Sequence, residues 1–307
     1  MANKNGVAAI LAFMLGVRVL FAQDVPFIMK LDSNSISVEV SVTDSAKKPV
    51  TNLTRDAFSI YEDGKLQETT GFYSVETPYS VLLLFDRSSS TENQWPLLQT
   101  ALNRFVDALR PQDSVSIATF TDNTALRLDW WSLSKGKPAD VLSAVKIGNV
   151  TNFYGAISWS ENRMKKVSTR KGVVVLTDGI DSTGIMRRYN PEVDEDFQKL
   201  LREVRSGRTP YYFVALNTDL NSNNGSALGR VRMEQLAEAS GGGILYPQSV
   251  EDIVPFFGDI AHNLGTQYGL AYQQPRSSRD GKPHLIEVRL RDRSLTIRQS
   301  RDRYVSN

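Results

Sequence analysis

The chain has 307 residues, with 36 Lys plus Arg against 34 Asp plus Glu, two His and no Cys. That length accommodates one large domain or two modest ones and can bury a sizeable core. The lack of cysteine excludes disulfides, thiolate zinc centres and cysteine nucleophiles, and the balanced charge gives no footprint for a polyanion.

At the amino terminus, Lys4 precedes an apolar run from Val7 to Leu15 and then Gly16-Val17-Arg18-Val19-Leu20-Phe21-Ala22. This reads as a secretory signal over residues 1–22, too short and too interrupted to span a bilayer. Its removal takes Lys4 and Arg18 and no acid, so the formal charge falls from +2 to zero. The expected location is extracytoplasmic: secreted, periplasmic or surface associated. No later segment reads as a membrane span.

Residues 23–77 read as a β segment. Ile36, Val38, Val40 and Val42 alternate as in a half-buried strand, and Phe58-Ser59-Ile60-Tyr61 runs into the turn Glu62-Asp63-Gly64-Lys65. Residues 69–75 close the segment, which is too small to bury a core alone.

Residues 78–264 change character. Apolar strands at 80–85, 114–120, 172–177, 211–216 and 243–246 alternate with helical patterns near 92–109, 137–147, 155–167, 194–206, 230–240 and 249–264. The segment 124–131 adds an antiparallel hairpin strand. This alternation predicts an α/β fold with a doubly wound, mostly parallel sheet covered on both faces. Ligand sites in such sheets lie beyond the carboxyl ends of the strands, near a topological switch.

Residues 265–307 return to strand periodicity. Tyr268, Leu270 and Tyr272 share one face, as do Ile286, Val288 and Leu290, and short strands follow at 295–297 and 304–305. The two β flanks are expected to pair into a small antiparallel β-sandwich, with the α/β region inserted between them. Arg289, Arg291, Arg293, Arg298, Arg301 and Arg303 are interleaved with Glu287, Asp292 and Asp302, so they read as solvated strand faces and not as a nucleic-acid patch.

Two of the central strands run into carboxylates. Val81-Leu82-Leu83-Leu84-Phe85 ends in Asp86, followed by Ser88 and Ser90, and Val173-Val174-Val175-Leu176-Thr177 ends in Asp178. Thr151 sits in a polar turn between them. Oxygen groups from three loops suit a hard divalent cation, Mg2+ or Mn2+, better than zinc.

The pattern D-x-S-x-S, then a threonine, then T-D-G resembles the metal-ion-dependent adhesion site of von Willebrand factor type A domains. The resemblance implies that Asp86, Ser88, Ser90, Thr151 and Asp178 ligate the ion. Ser89 stands where the usual D-x-S-G-S form has glycine, and a positive φ there would strain it. The wider frame resembles the VWFA-related proteins described from Acidobacteria, in Thr54-Arg55-Asp56-Ala57-Phe58, Tyr61-Glu62-Asp63-Gly64-Lys65 and Gln267-Tyr268-Gly269-Leu270-Ala271-Tyr272. Mg2+ takes about six oxygens, so a glutamate or aspartate of a protein partner would complete the shell.

Around these residues, Arg87 either reaches the rim, where it could pair with an acidic partner, or faces solvent. Phe153 or Tyr154 offers an apolar contact beside the ion, with at least one of the two packed on the sheet. Thr177, Asp181 and Ser182 are candidates to support the ligands. Gly155 stands where related domains often carry an acid. Asp113 and Asp129 read as solvated turn acids, and Trp130-Trp131 places one ring on each side of a strand. Gly241-Gly242-Gly243 follows a helix and precedes a strand, the reverse of a dinucleotide fingerprint. His262 and His284 have no partner at zinc-like spacing. The function expected is therefore cation-dependent protein binding or adhesion without catalysis. A metal-stabilised scaffold or assembly factor is the alternative, and a Mg2+-dependent hydrolase would need a base that these loops lack.

Overall fold

The computed structural model describes residues 35–306 apart from 139–140, 143–145, 184–193, 208, 217–223 and 248. The expected signal segment and part of the helix expected at 137–147 lie outside the described residues; the described residues of that last stretch are not helical.

The described residues begin with β1 (Ser35–Thr43), β2 (Phe58–Glu62), β3 (Lys65–Gln67) and β4 (Thr69–Tyr73). The central region begins with β5 (Tyr79–Asp86), α1 (Trp95–Ala108), β6 (Ser114–Phe120), β7 (Thr124–Ser132) and α2 (Phe153–Met164). It continues through β8 (Arg170–Thr177), α3 (Glu195–Gly207), β9 (Tyr211–Ala215), α4 (Asn224–Ser240), β10 (Gly243–Leu245) and α5 (Ile253–Thr266). The last strands are β11 (Gln267–Gln273), β12 (Pro283–Leu290), β13 (Thr296–Gln299) and β14 (Arg303–Val305).

The central sheet has the order β10-β9-β8-β5-β6-β7, with every neighbouring pair parallel except β6 and β7. Side chains of β5 alternate between two cores, as the period of a strand requires. Val81, Leu83 and Phe85 pack with α1 and α5, whereas Leu82 and Leu84 pack with α2, α3 and α4. Each such buried side chain contributes about 1.5–3 kcal/mol relative to exposure. Helix α1 follows from Leu98, Ala101, Leu102 and Phe105, one buried stripe at helical spacing, with Pro96 harmless in its first turn. The chain leaves β5 toward β6 on one side, and β8 leads to β9 on the other. The topological switch therefore falls between β5 and β8, whose ends carry Asp86 and Asp178.

The flanks pair as a sandwich of two sheets, β13-β1-β11-β4 and β14-β12-β2-β3. β1 and β11 run antiparallel, with Val38 opposite Leu270 and Val40 opposite Tyr268. Those residues meet Ile60, Ile286 and Val288 of the other sheet in one core, so strands from both ends of the chain share a single hydrophobic interior. At the seam with the central sheet, the fully buried Arg170 donates to the Leu264 carbonyl at 3.1 Å and lies 3.7 Å from Glu39 of β1.

One buried acid has no use in this packing. Glu161 on α2 is fully buried and neither carboxylate oxygen has a hydrogen-bond partner. It fits because Gly207 faces it: a Cβ there would lie 1.8 Å from Glu161 Oε2. Burial pushes its carboxyl up to about 7, with Tyr211 and Lys171 offsetting part of the effect. A carboxyl raised on folding holds its proton more tightly in the folded state, so stability is lost as pH rises from about 4.5 toward 7. Glu161→Gln removes that loss. Its stability advantage over the parent should grow by about 2–3 kcal/mol between about pH 5 and pH 8 in urea denaturation. A constant difference across that range would contradict the assignment.

Candidate functional site

At the end of β5, the Asp86 carboxylate turns back on its own loop. Oδ1 accepts the Ser88 amide at 2.9 Å and Oδ2 accepts the Thr177 hydroxyl at 2.7 Å. The following residues, Ser89–Gln94, form a 3-10 turn fixed by Thr91, whose hydroxyl lies 3.0 Å from the carbonyls of both Asp86 and Ser88. Ser89 is not at positive φ; among the described residues other than glycine only Lys47 and Asp63 are. Serine in place of the usual glycine therefore carries no backbone strain here.

The turn aims two hydroxyls at the neighbouring strand end. Ser88 Oγ and Ser90 Oγ are 3.0 Å apart, and Ser90 Oγ donates to Asp178 Oδ2 at 2.7 Å. Asp178 Oδ1 accepts the Ile180 amide at 3.0 Å. Asp86, Ser88, Ser90 and Asp178 thus meet in one polar cluster, with Thr177 bonded to Asp86 and accepting from the Gly179 amide at 3.0 Å.

Thr151 joins through its backbone. Its amide donates to Ser182 Oγ at 2.7 Å and its carbonyl accepts the Ser182 amide at 2.8 Å. The Thr151 hydroxyl makes no hydrogen bond to either carboxylate. On the other side, Gly148 exchanges backbone bonds with Arg87 and Ser89, each at 3.0 Å, so the stretch 148–151 is stitched to both acid-bearing loops. Asp181 completes the stitching, since its Oδ2 accepts the Tyr154 amide at the start of α2, at 2.9 Å.

Several neighbours differ from the sequence expectation. Arg87 neither reaches the rim nor faces solvent: it is buried with its guanidinium 4.0 Å from the Trp95 ring centroid. Phe153 and Tyr154 are both buried among the residues that pack α2 on the sheet, so neither is an exposed contact. Gly155 lies against the Asn152 side chain, which caps α2 by accepting the Gly155 amide at 2.9 Å. Asp113 is fully buried, holding the Tyr79 amide at 2.8 Å and Arg110. Trp131 and Trp130 pack on opposite faces of the sheet, as a strand places them.

Sequence reasoning missed a buried ion pair behind the site. Arg232 of α4 donates to Asp194 Oδ2 at 3.2 Å, and the Tyr154 hydroxyl donates to the same oxygen at 2.7 Å. One turn earlier on α4, Gly229 abuts the third loop so closely that a Cβ would lie 2.2 Å from the Asp178 carbonyl oxygen.

The electrostatics of the cluster are those of two buried like charges. Asp86 is fully buried and Asp178 only 2% exposed. Burial first, and Asp178 second, raise the Asp86 carboxyl to about 7; burial also raises Asp178, offset by the Ile180 amide and Ser90. No described basic side chain pairs with either acid. All the converging donors are oxygens, a set suited to Mg2+ or Mn2+, and the positive charge of such an ion would offset the repulsion.

A second group, Glu62, Asp63 and His284, offers ligand atoms within 4.8 Å of one another. These atoms are already engaged. Glu62 accepts the hydroxyls of Tyr272 at 2.5 Å and Tyr304 at 2.9 Å, and also that of Ser278. His284 places its two ring nitrogens 2.7 Å from Asp63 and 3.0 Å from Asp280. Asp63 first, then Asp280, raises the imidazole pKa, so this cluster favours a proton on the ring. Asp280, four residues ahead of His284, was the sequence signal for that pairing.

Residues 81–181, which contain all five expected ligands, match the family described as von Willebrand factor type A domain, so a domain of that family is present. No curated protein sequence matches the chain. Its fold is similar to a von Willebrand factor type A structure from Catenulispora acidiphila, 10% identical, with a TM-score of 0.51 over 90% of this chain and 75% of that one. It is also similar to a point mutant of the PilB minor pilin from Streptococcus sanguinis, 13% identical, with a TM-score of 0.50. That match covers 62% of each chain, so this chain spans less than two thirds of the pilin. At such identities the likeness carries the fold alone.

Proposed function

We propose that the chain is a non-catalytic protein-binding module of the extracytoplasmic space, with a divalent cation at Asp86, Ser88, Ser90, Thr151 and Asp178. The observation that carries the reading is the Ser88–Ser90–Asp178 chain of hydroxyl contacts, which draws together two buried carboxylates with no basic partner. When bound, Mg2+ or Mn2+ would supply an electrophilic centre that accepts a carboxylate oxygen from outside. The protein's own part is to hold the oxygens ready. Thr177 and the Ser88 amide fix Asp86, the Ile180 amide fixes Asp178, and Ser182 fixes the Thr151 loop.

Two acids leave a divalent ion formally neutral, so a glutamate or aspartate of a partner protein can still be drawn to it. Hydrolysis has less support, because His262 is exposed on α5 and His284 lies in the sandwich, both remote in the fold from the strand ends. The extracytoplasmic placement rests on the signal-like segment 1–22 and on adhesion as the role. Among the described residues, no helix is long and apolar enough to cross a membrane.

Calorimetric titration with Mg2+ and Mn2+ tests the site. One ion should bind the parent chain. Asp86→Ala and Asp178→Ala should each lower the affinity at least tenfold while the far-UV spectrum stays that of a folded α/β protein. Unaltered affinity in Asp178→Ala would remove that residue from the site. Absence of binding to the parent would favour a scaffold role.

A further inference from the structure

We propose that Ile147 and Val150 form an aliphatic rim to the cation site, which selects a partner loop whose single acidic residue is flanked by aliphatic side chains. The inference rests on the cation reading above and adds the identity of what sits beside the acid.

Ile147 is 38% exposed and Val150 is 39% exposed, two of the six large apolar side chains most open to solvent among the described residues. Scattered singly, such residues mean little. These two fall within four residues of one another, on the stretch stitched to both acid-bearing loops. Gly148 forms a parallel bridge with Ser88, and Val150 directly precedes Thr151. Chain geometry then places the Ile147 Cα within about 9 Å of the Ser88 Cα, one residue step plus one strand spacing. Neighbouring residues of a bound loop are about 3.8 Å apart at Cα, so a side chain next to the liganding acid reaches this rim.

The stretch is also held firmly. The Gly148 amide donates to Arg87, the Ser89 amide donates to Gly148, and the Thr151 amide donates to Ser182. The Asn152 amide donates to the Thr121 carbonyl at 2.6 Å, which anchors the far end. A rim fixed by four backbone contacts presents its apolar surface with little ordering left to do on binding. The aromatic pair that follows, Phe153 and Tyr154, is consumed by the core, so Ile147 and Val150 are the exposed apolar groups among the described residues of 146–154.

Charge decides between a lone acid and an acidic tract. The exposed charged groups on the described loops around the site are Glu92 after Ser90, Asp122 beside Asn152, and Lys146 before Ile147. Arg87 is covered by Trp95 and does not face out. Among the described residues, one cation against two acids disfavours further carboxylates beside the one the ion takes. An aliphatic neighbour meets apolar surface there.

The test uses the full chain and three blocked pentapeptides: Gly-Leu-Glu-Leu-Gly, Gly-Gly-Glu-Gly-Gly and Gly-Asp-Glu-Asp-Gly. Free Mn2+ is first measured by its paramagnetic resonance signal, which tests the cation site by itself. Peptide affinity then follows from Mn2+-induced broadening of the peptide proton lines. The leucine-flanked peptide should bind about tenfold more tightly than the glycine-flanked one, and the aspartate-flanked peptide more weakly than either. The Ile147→Ser/Val150→Ser double variant should bring the leucine and glycine peptides within about twofold while leaving Mn2+ affinity unchanged. Equal affinity of those two peptides for the parent, a preference that survives in the variant, or tightest binding of the aspartate peptide would overturn the proposal. Failure of the parent to bind Mn2+ would overturn the cation reading beneath it, a separate result.

Discussion

Arg232→Ala is expected to destabilise the fold by about 3–5 kcal/mol, measured as the change in urea unfolding free energy, because it strands a buried carboxylate. Arg232 and Asp194 side chains are 3% and 5% exposed, so the pair is almost wholly removed from water. Asp194 has structural duties of its own. Its Oδ1 caps α3 by accepting the Phe197 amide at 3.1 Å, and its Oδ2 takes the Tyr154 hydroxyl. Without the guanidinium, those neutral donors alone would have to stabilise the charge. Asp194→Asn should recover part of the loss in an Arg232→Ala background, with a coupling of at least 1 kcal/mol in the double-mutant cycle. Additive losses would show that the two residues act independently.

The same substitution should be felt at the strand ends. Tyr154, held through its hydroxyl by Asp194, donates its amide to Asp181, three residues beyond Asp178. Arg232 lies three residues after Gly229, whose backbone packs on the Asp178 carbonyl. The contacts close a ring through the third loop, α4, the cap of α3 and the start of α2. A lever of this kind predicts weaker cation binding in Arg232→Ala even under conditions where the variant remains folded.

How much of this was open to sequence reading follows from what each residue must do. Asp86 and Asp178 were legible because each ends an uninterrupted apolar strand, and a buried parallel strand has few other ways to finish in a carboxylate. The pairing of the flanks was legible because neither could bury a core alone. Arg232 was not. In Gly229-Arg230-Val231-Arg232-Met233 it looks like its neighbour Arg230, which pairs with Glu234 at the surface. Only the arrival of Asp194 and Tyr154 from distant parts of the chain separates the two arginines. Asp113 misled for the opposite reason: its turn sequence is ordinary, but the start of β5 packs over it and uses it as an acceptor. Arg87 sits between two ligands in sequence, yet Trp95 offers its guanidinium a ring face, and a buried cation–π contact outweighs the rim.

Asp86→Asn is expected to stabilise the fold without the cation and to forfeit the stabilisation the cation brings, which separates an ion site from a structural acid. With chelator present, near pH 8, the variant should be more stable than the parent by about 4 kcal/mol. The cause is the burial of Asp86 beside Asp178, which lifts its carboxyl from 3.8 to about 7. A folded value above the unfolded one means that the stability present at low pH is lost as pH rises from about 4 toward 7. Asparagine has no proton to release, so the two proteins should converge near pH 4. Its carbonyl can still accept the Ser88 amide, and its amide can donate to the Thr177 hydroxyl oxygen. With Mg2+ at about a hundred times its dissociation constant, the parent should gain about 2.7 kcal/mol and the variant almost nothing. Denaturant unfolding in chelator and in Mg2+ reads both differences on the same samples. An acid needed only for its hydrogen bonds would make the variant less stable in both buffers, whereas a cation ligand gives a gain in one and a lost stabilisation in the other.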